Sequence, residues 1–189
     1  TLGGGQAAAL LVARAEAVRA LSRAGLGEEA AALWDWQVAV ALAPAFGELD
    51  LAPYGPAGAK IAALSSASAP DEAPLASITR APEKDKGKSI QYPRAKLAAC
   101  ELTPIEVSAL VGIDGVPRQP DLDPEADVVL GFVALEALRS WKFEPAQAAG
   151  KPAVARFTLA TDLSEKRCRD LLATMRPDPS AHDFSNDDE

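Results

Sequence analysis

Two cysteines, Cys100 and Cys168, are the residues of this 189-residue chain whose type and placement bear most directly on chemistry. Neither has a histidine nearby, and their wide separation makes them poor metal ligands. They flank the stretch from Ile105 to Leu163, a placement consistent with a disulfide that closes a long loop and stabilises by a few kcal/mol in the chain-entropy model. Two buried free thiols would fit the same positions. A bridge would suit an oxidising compartment. The single histidine, His182, sits in an acidic tail, and a mobile tail cannot hold a general base in register with Asp183 and a distant serine. Asp121, Asp123, Glu125 and Asp127 form a local acidic group, read as helix N-terminal charge rather than a metal site. No phosphate loop, dinucleotide glycine pattern or zinc spacing occurs. The expectation is no enzyme, no metal and no cofactor.

The composition bounds what such a chain binds. Its net charge is −8, whereas nucleic-acid phosphates demand a Lys/Arg excess on some face, so nucleic acid is not an expected partner. Five of the acids lie between Pro177 and Glu189, a tail without Lys or Arg that is expected to be disordered. Forty alanines inflate the 48% hydrophobic fraction. Burial at roughly 25 cal/mol per Å² rewards large side chains, so the three tryptophans and five phenylalanines mark the cores. No apolar run reaches the roughly 18 residues that a membrane span needs. The opening Thr1-Leu2-Gly3-Gly4-Gly5 lacks the blocks of a signal peptide and reads as the start of a processed or truncated product.

The elements that must position these residues follow from periodicity. Residues 7–43 predict two helices, the first carrying Leu10, Leu11, Val18 and Leu21 and stopping at Gly25 and Gly27. The second opens on Glu28 and Glu29 and carries Leu33, Trp36, Val40 and Leu42 before Pro44. Ala57 to Leu64 predicts a short third helix. Residues 65–104, rich in Ser, Ala, Pro and charge, read as a linker in which Lys84, Lys86 and Lys88 are a solvated face. From Glu106 the pattern becomes regular, with Val107, Ala109 and Val111 alternating with Ser108 and Leu110; Asp114-Gly115 signals a hairpin, and Val116 to Leu122 returns as a second strand. Pro117 and Pro120 confine that strand to an edge or to bulges. Asp123-Pro124-Glu125 opens a helix with an apolar stripe of Val128, Phe132, Leu135 and Leu138, which Pro145 stops. Ala153 to Leu163 is a third strand, with Val154, Arg156 and Thr158 on one side and Ala155, Phe157 and Leu159 on the other. Ser164 to Thr174 is a last short helix. The fold class is α+β: a small antiparallel three-stranded sheet on an amphipathic helix, preceded by a helical hairpin. The divisions are a helical module at 1–64, a linker at 65–104, an α+β domain at 105–176 and a tail at 177–189.

The run Ala134-Leu135-Glu136-Ala137-Leu138-Arg139-Ser140-Trp141-Lys142-Phe143-Glu144-Pro145-Ala146, followed by Gly150-Lys151-Pro152-Ala153-Val154, resembles the C-terminal domain of the TonB energy-transducer family. The resemblance covers Ile105 to Leu163. Its physical content is a helix end pinned to a sheet by Trp141 and Phe143, and a glycine turn into the last strand. The family's Tyr-Pro element is loosely met by Tyr92-Pro93-Arg94-Ala95-Lys96. Its usual second-strand text is replaced by Gly115-Val116-Pro117-Arg118-Gln119-Pro120, and its membrane anchor and Pro/Lys spacer are absent from this chain. The spacing of Gly27, Ala32, Trp36, Ala39 and Pro44 is similar to the second helix of a tetratricopeptide unit. Arrays of such units need about three repeats, and a hairpin packed on itself is the alternative.

The TonB-like resemblance implies the periplasm of a Gram-negative bacterium, with an inner-membrane anchor in full-length members. It implies an outer-membrane transporter or other envelope protein as partner, joined by strand addition to the last strand. The partner-binding residues would be Val154, Arg156 and Thr158, and a second copy of the chain could pair there to give a homodimer. The alternative is a periplasmic scaffolding protein whose N-terminal helices dock a partner through Trp34, Trp36 and Phe46.

Overall fold

Alanine spacing brings the first two helices together. The computed structural model describes residues 4–67, 71–100, 105–161 and 165–175. Within them α1 (Gly4–Leu26) and α2 (Glu29–Leu42) form an antiparallel hairpin, and Ala13, Ala17, Ala20 and Ala24 are the apolar residues α1 buries. Their i, i+4, i+7, i+11 spacing makes one face of small side chains, which lets the larger Trp34, Trp36 and Val38 of α2 fill the core. Leu11 and Val18, whose spacing predicts the helix, lie instead on its exposed side at 70% and 64% accessibility. Gly27, at φ 82°, makes the left-handed turn between the helices. The third helix, α3 (Gly55–Ser66), packs across both and buries Ile61 completely.

Residues 71–100, expected to belong to a linker, carry structure. Strands β1 (Ile78–Arg80) and β2 (Glu83–Lys86) precede a helix, α4 (Arg94–Ala99). The main sheet follows in β3 (Ile105–Val111) and β4 (Pro117–Leu122), joined through Asp114-Gly115 as predicted. Helix α5 (Val128–Arg139) is capped by Asp127, whose Oδ1 accepts from the amides of Val129 at 3.0 Å and Leu130 at 3.1 Å. The helix start therefore lies beyond Asp123-Pro124-Glu125, which forms a turn. Its end comes at Arg139, before Pro145, because the chain leaves at Trp141 to form β5 (Lys142–Glu144). Strands β6 (Ala146–Ala148), β7 (Lys151–Ala153) and β8 (Ala155–Thr161) and helix α6 (Glu165–Thr174) complete the described chain.

Among the described residues these strands form three antiparallel sheets: β4-β3-β8, β1-β6-β7 and the pair β2-β5. The two small sheets explain how part of the stretch read as a linker comes to be ordered. Residues 78–86 contribute little apolar area, yet their backbone groups find ladder partners in β5 and β6. Trp141 adds a side-chain tie, its Nε1 donating to the Lys88 carbonyl at 2.7 Å while the Lys84 ammonium sits 3.7 Å from its ring. On the main sheet Ile105, Val107, Ala109 and Val111 line the core beneath α5. Gly131 lets α5 approach β4, since a Cβ there would meet the Leu122 methyl at 2.6 Å. The acidic tail from Pro177, with His182, lies outside the described residues, as do Leu163 and Ser164.

Candidate strand-addition edge

Strand β8 is an edge of the main sheet, paired in unbroken register from Ile105↔Thr161 to Val111↔Ala155. The predicted alternation is present. Arg156, Thr158 and Ala160 are exposed on the open face, while Ala155, Phe157 and Leu159 turn toward the core side. Among the described residues no strand is paired to the outer side of β8.

Val154 lies just before β8 and is already engaged: its carbonyl accepts from the Ala73 amide at 2.9 Å. That carbonyl points outward. Backbone groups of successive residues in a strand face opposite edges, so carrying the alternation forward aims those of Arg156, Thr158 and Ala160 outward as well. The Arg156 guanidinium donates to Ser108 Oγ at 3.2 Å and stands 3.8 Å from Glu72. The structure thus brings Arg156 and Thr158 to an edge that no described strand pairs with, and gives Val154 an internal partner. Glu72 and Ala73 were not legible as edge residues, because nothing in a Pro- and Ser-rich segment marks where it docks.

Beneath β8 the aromatic side chains meet. Phe157 lies 4.8 Å from Phe143 and 6.0 Å from Trp141, centroid to centroid, with Trp141 and Phe143 at 6.1 Å. Trp141 and Phe143 are buried, so the free edge stands on a rigid support.

The opposite edge differs. Pro117 and Pro120 interrupt β4, Gln119 adopts φ 48°, and the register shifts between Ser108 and Leu110. Helix α2 packs along this edge, and Gln37 Oε1 accepts the Gln119 amide at 3.2 Å. Trp36, expected as a docking residue, is buried against Phe46 at 6.2 Å, and Trp34 is buried too. Neither indole offers itself to a partner, because α1, α3 and the sheet use the hairpin's apolar faces.

A second cluster of chemistry-bearing residues lies between α1, α2 and α5. Asp35, fully buried, accepts from Arg23 at 2.6 Å and from Arg19 and Arg139 at 3.0 Å each. Glu16 pairs with Arg19, and Arg19 reaches Glu136 at 3.1 Å. The carboxylate oxygens of Glu16, Asp35 and Glu136 come within 4.8 Å of one another, as ligands of a metal would. Three guanidiniums already balance the three acids, so the donor set suits an ion-pair knot and not a cation. Burial pushes the Glu16 carboxyl up to about 7, against the pull of Arg19. The signal for this knot was a lone Asp35 between Trp34 and Trp36 on an apolar helix.

Cys100 and Cys168 are joined, with Cα atoms 6.0 Å apart, inside the range that a disulfide spans. The pair links α4 to α6, with Cys100 in the left-handed conformation at the end of α4. No family model, curated protein or solved structure matches the chain.

Proposed function

We propose that this chain is a non-enzymatic periplasmic binding module resembling the TonB C-terminal domain, which engages a short extended segment of an outer-membrane transporter or other envelope protein. The single observation that carries the reading is the asymmetry of the main sheet: α2 packs along β4, while among the described residues no strand pairs with the outer side of β8. An incoming strand would take its main-chain hydrogen bonds from the outward groups of Arg156, Thr158 and Ala160 and displace Ala73 to reach Val154. Arg156 would exchange Glu72 for an acid of the partner. The disulfide fits an oxidising compartment, and no described helix is long and apolar enough to cross a membrane.

The test is to titrate labelled N-terminal peptides of outer-membrane transporters against wild type, Arg156→Pro and Thr158→Pro. Each proline removes one outward donor, so both variants should lose binding. Equal affinity in all three would exclude strand addition at β8. The scaffolding alternative then gains, through a different surface from the one expected: Leu11, Val18 and Leu26 are exposed along α1.

A further inference from the structure

We propose that the groove between α2 and the β4 edge is a docking site for a cationic peptide segment with an apolar anchor. It does not depend on the β8 reading. The groove encloses about 1220 Å³, above the roughly 300–1000 Å³ of clefts that hold one small ligand. Val40 and Ala41 on one side and Leu122 and Val128 on the other give it apolar walls. Glu106, Asp121, Asp123 and Glu125 line it as well, and all four are exposed. Among the described residues none of these carboxylates has a Lys or Arg in ion-pair range.

Two of the acids are held in place by the backbone. Asp121 Oδ1 accepts the Leu122 amide at 3.0 Å, Asp123 Oδ1 accepts the Glu125 amide at 2.9 Å, and the Asp123 amide donates to the Glu106 carbonyl at 3.1 Å. Among the described residues the cation in the lining is Arg156, which is turned to Ser108 and Glu72. A cleft of one charge sign with low-dielectric walls focuses its field and concentrates counter-ions. Charge complementarity therefore selects Lys- or Arg-bearing segments and rejects phosphates, nucleic acid and anionic lipid headgroups. The apolar walls call for a large side chain between the cations.

The experiment is fluorescence anisotropy of the full chain with a labelled peptide of alternating Lys and Leu. Its Glu-for-Lys and Ser-for-Leu counterparts serve as probes of charge and anchor. The Lys/Leu peptide should bind and both counterparts should bind far more weakly. Asp123→Asn with Glu125→Gln should weaken binding about tenfold or more, the scale of removing complementary charge at an interface. Neutralising Glu83 and Asp85, exposed acids on β2 outside the groove, should leave affinity unchanged, as should Thr158→Pro. Absence of binding, equal binding of either counterpart, or equal loss in the β2 control would overturn the proposal. Loss in Thr158→Pro alone would return the peptide to the β8 edge and overturn it too.

Discussion

The two edges of the main sheet show how one protein treats the same liability in opposite ways. An edge strand carries a row of unpaired amides and carbonyls that any extended chain can join. On β4 two prolines remove donors, Gln119 turns the backbone out of register and Gln37 takes the amide that remains. On β8 there is no proline and the register is unbroken over seven pairs, and the Val154 carbonyl just before it accepts from the Ala73 amide. Under the proposed strand addition, pairing would fall on the β8 side.

The largest effect should come from the knot that holds α2 against the rest of the molecule. Asp35→Ala leaves Arg19, Arg23 and Arg139 without their shared buried acceptor. Breaking a buried pair in this way costs about 3–5 kcal/mol, measurable by urea unfolding. If closure of β4 depends on this knot, amide exchange at Gln119 should accelerate in the same variant. An unchanged unfolding midpoint would detach the knot from the closed edge.

Trp141→Ala attacks the other edge from below. Removing the indole takes away its packing on Phe143 and Phe157 and its hydrogen bond to Lys88. The expected loss is again about 3–5 kcal/mol, the range for large buried aromatics. Thermal unfolding reads it directly, and a wild-type melting temperature would refute the support that the ring is said to give.

A smaller, pH-dependent effect should sharpen the contrast. The Glu16 carboxyl is at about 7 in the folded chain, against an ordinary 4.5. A raised folded pKa means that the folded state binds more protons than the unfolded one between these values. The contribution of Glu16 is therefore fully present below 4.5 and is lost as pH rises through about 7. Unfolding midpoints should fall across that window in wild type and flatten in Glu16→Gln. Asp114, held down to about 2 by Arg118, works with the opposite sign and in a lower window, so the two do not overlap.

Gln37→Ala should have the smallest effect, about 1 kcal/mol for one lost hydrogen bond. Its value lies in what it opens. With the Gln119 amide freed, β4 should still fail to recruit a strand, because the prolines and the positive φ persist. Peptide pairing to β4 in this variant, seen by cross-linking, would show that the side-chain cap alone closes the edge.

By itself the sequence determined the local elements. The strand expected from Glu106 to Val111, the Asp114-Gly115 turn, the prolines of β4 and the glycine stop at Gly27 act within a few residues and appear where they were expected, although Ser108 and Leu110, on the other face of the strand, are buried as well. The alternation of Arg156 and Thr158 with Phe157 and Leu159 was equally local. Only the tertiary structure decided which surfaces those elements would spend on one another. Leu11 and Val18 satisfy a helical period but lose the core to four alanines, because the wide α2 side chains need a thin neighbour. Residues 78–86 look unable to order themselves, and alone they would be, yet β5 and β6 supply the backbone partners that their side chains cannot attract. The candidate groove, the buried Asp35 knot and the docking of Ala73 on Val154 all join residues far apart in the chain. Such contacts depend on how faces meet in space, and no spacing along the sequence encodes that meeting.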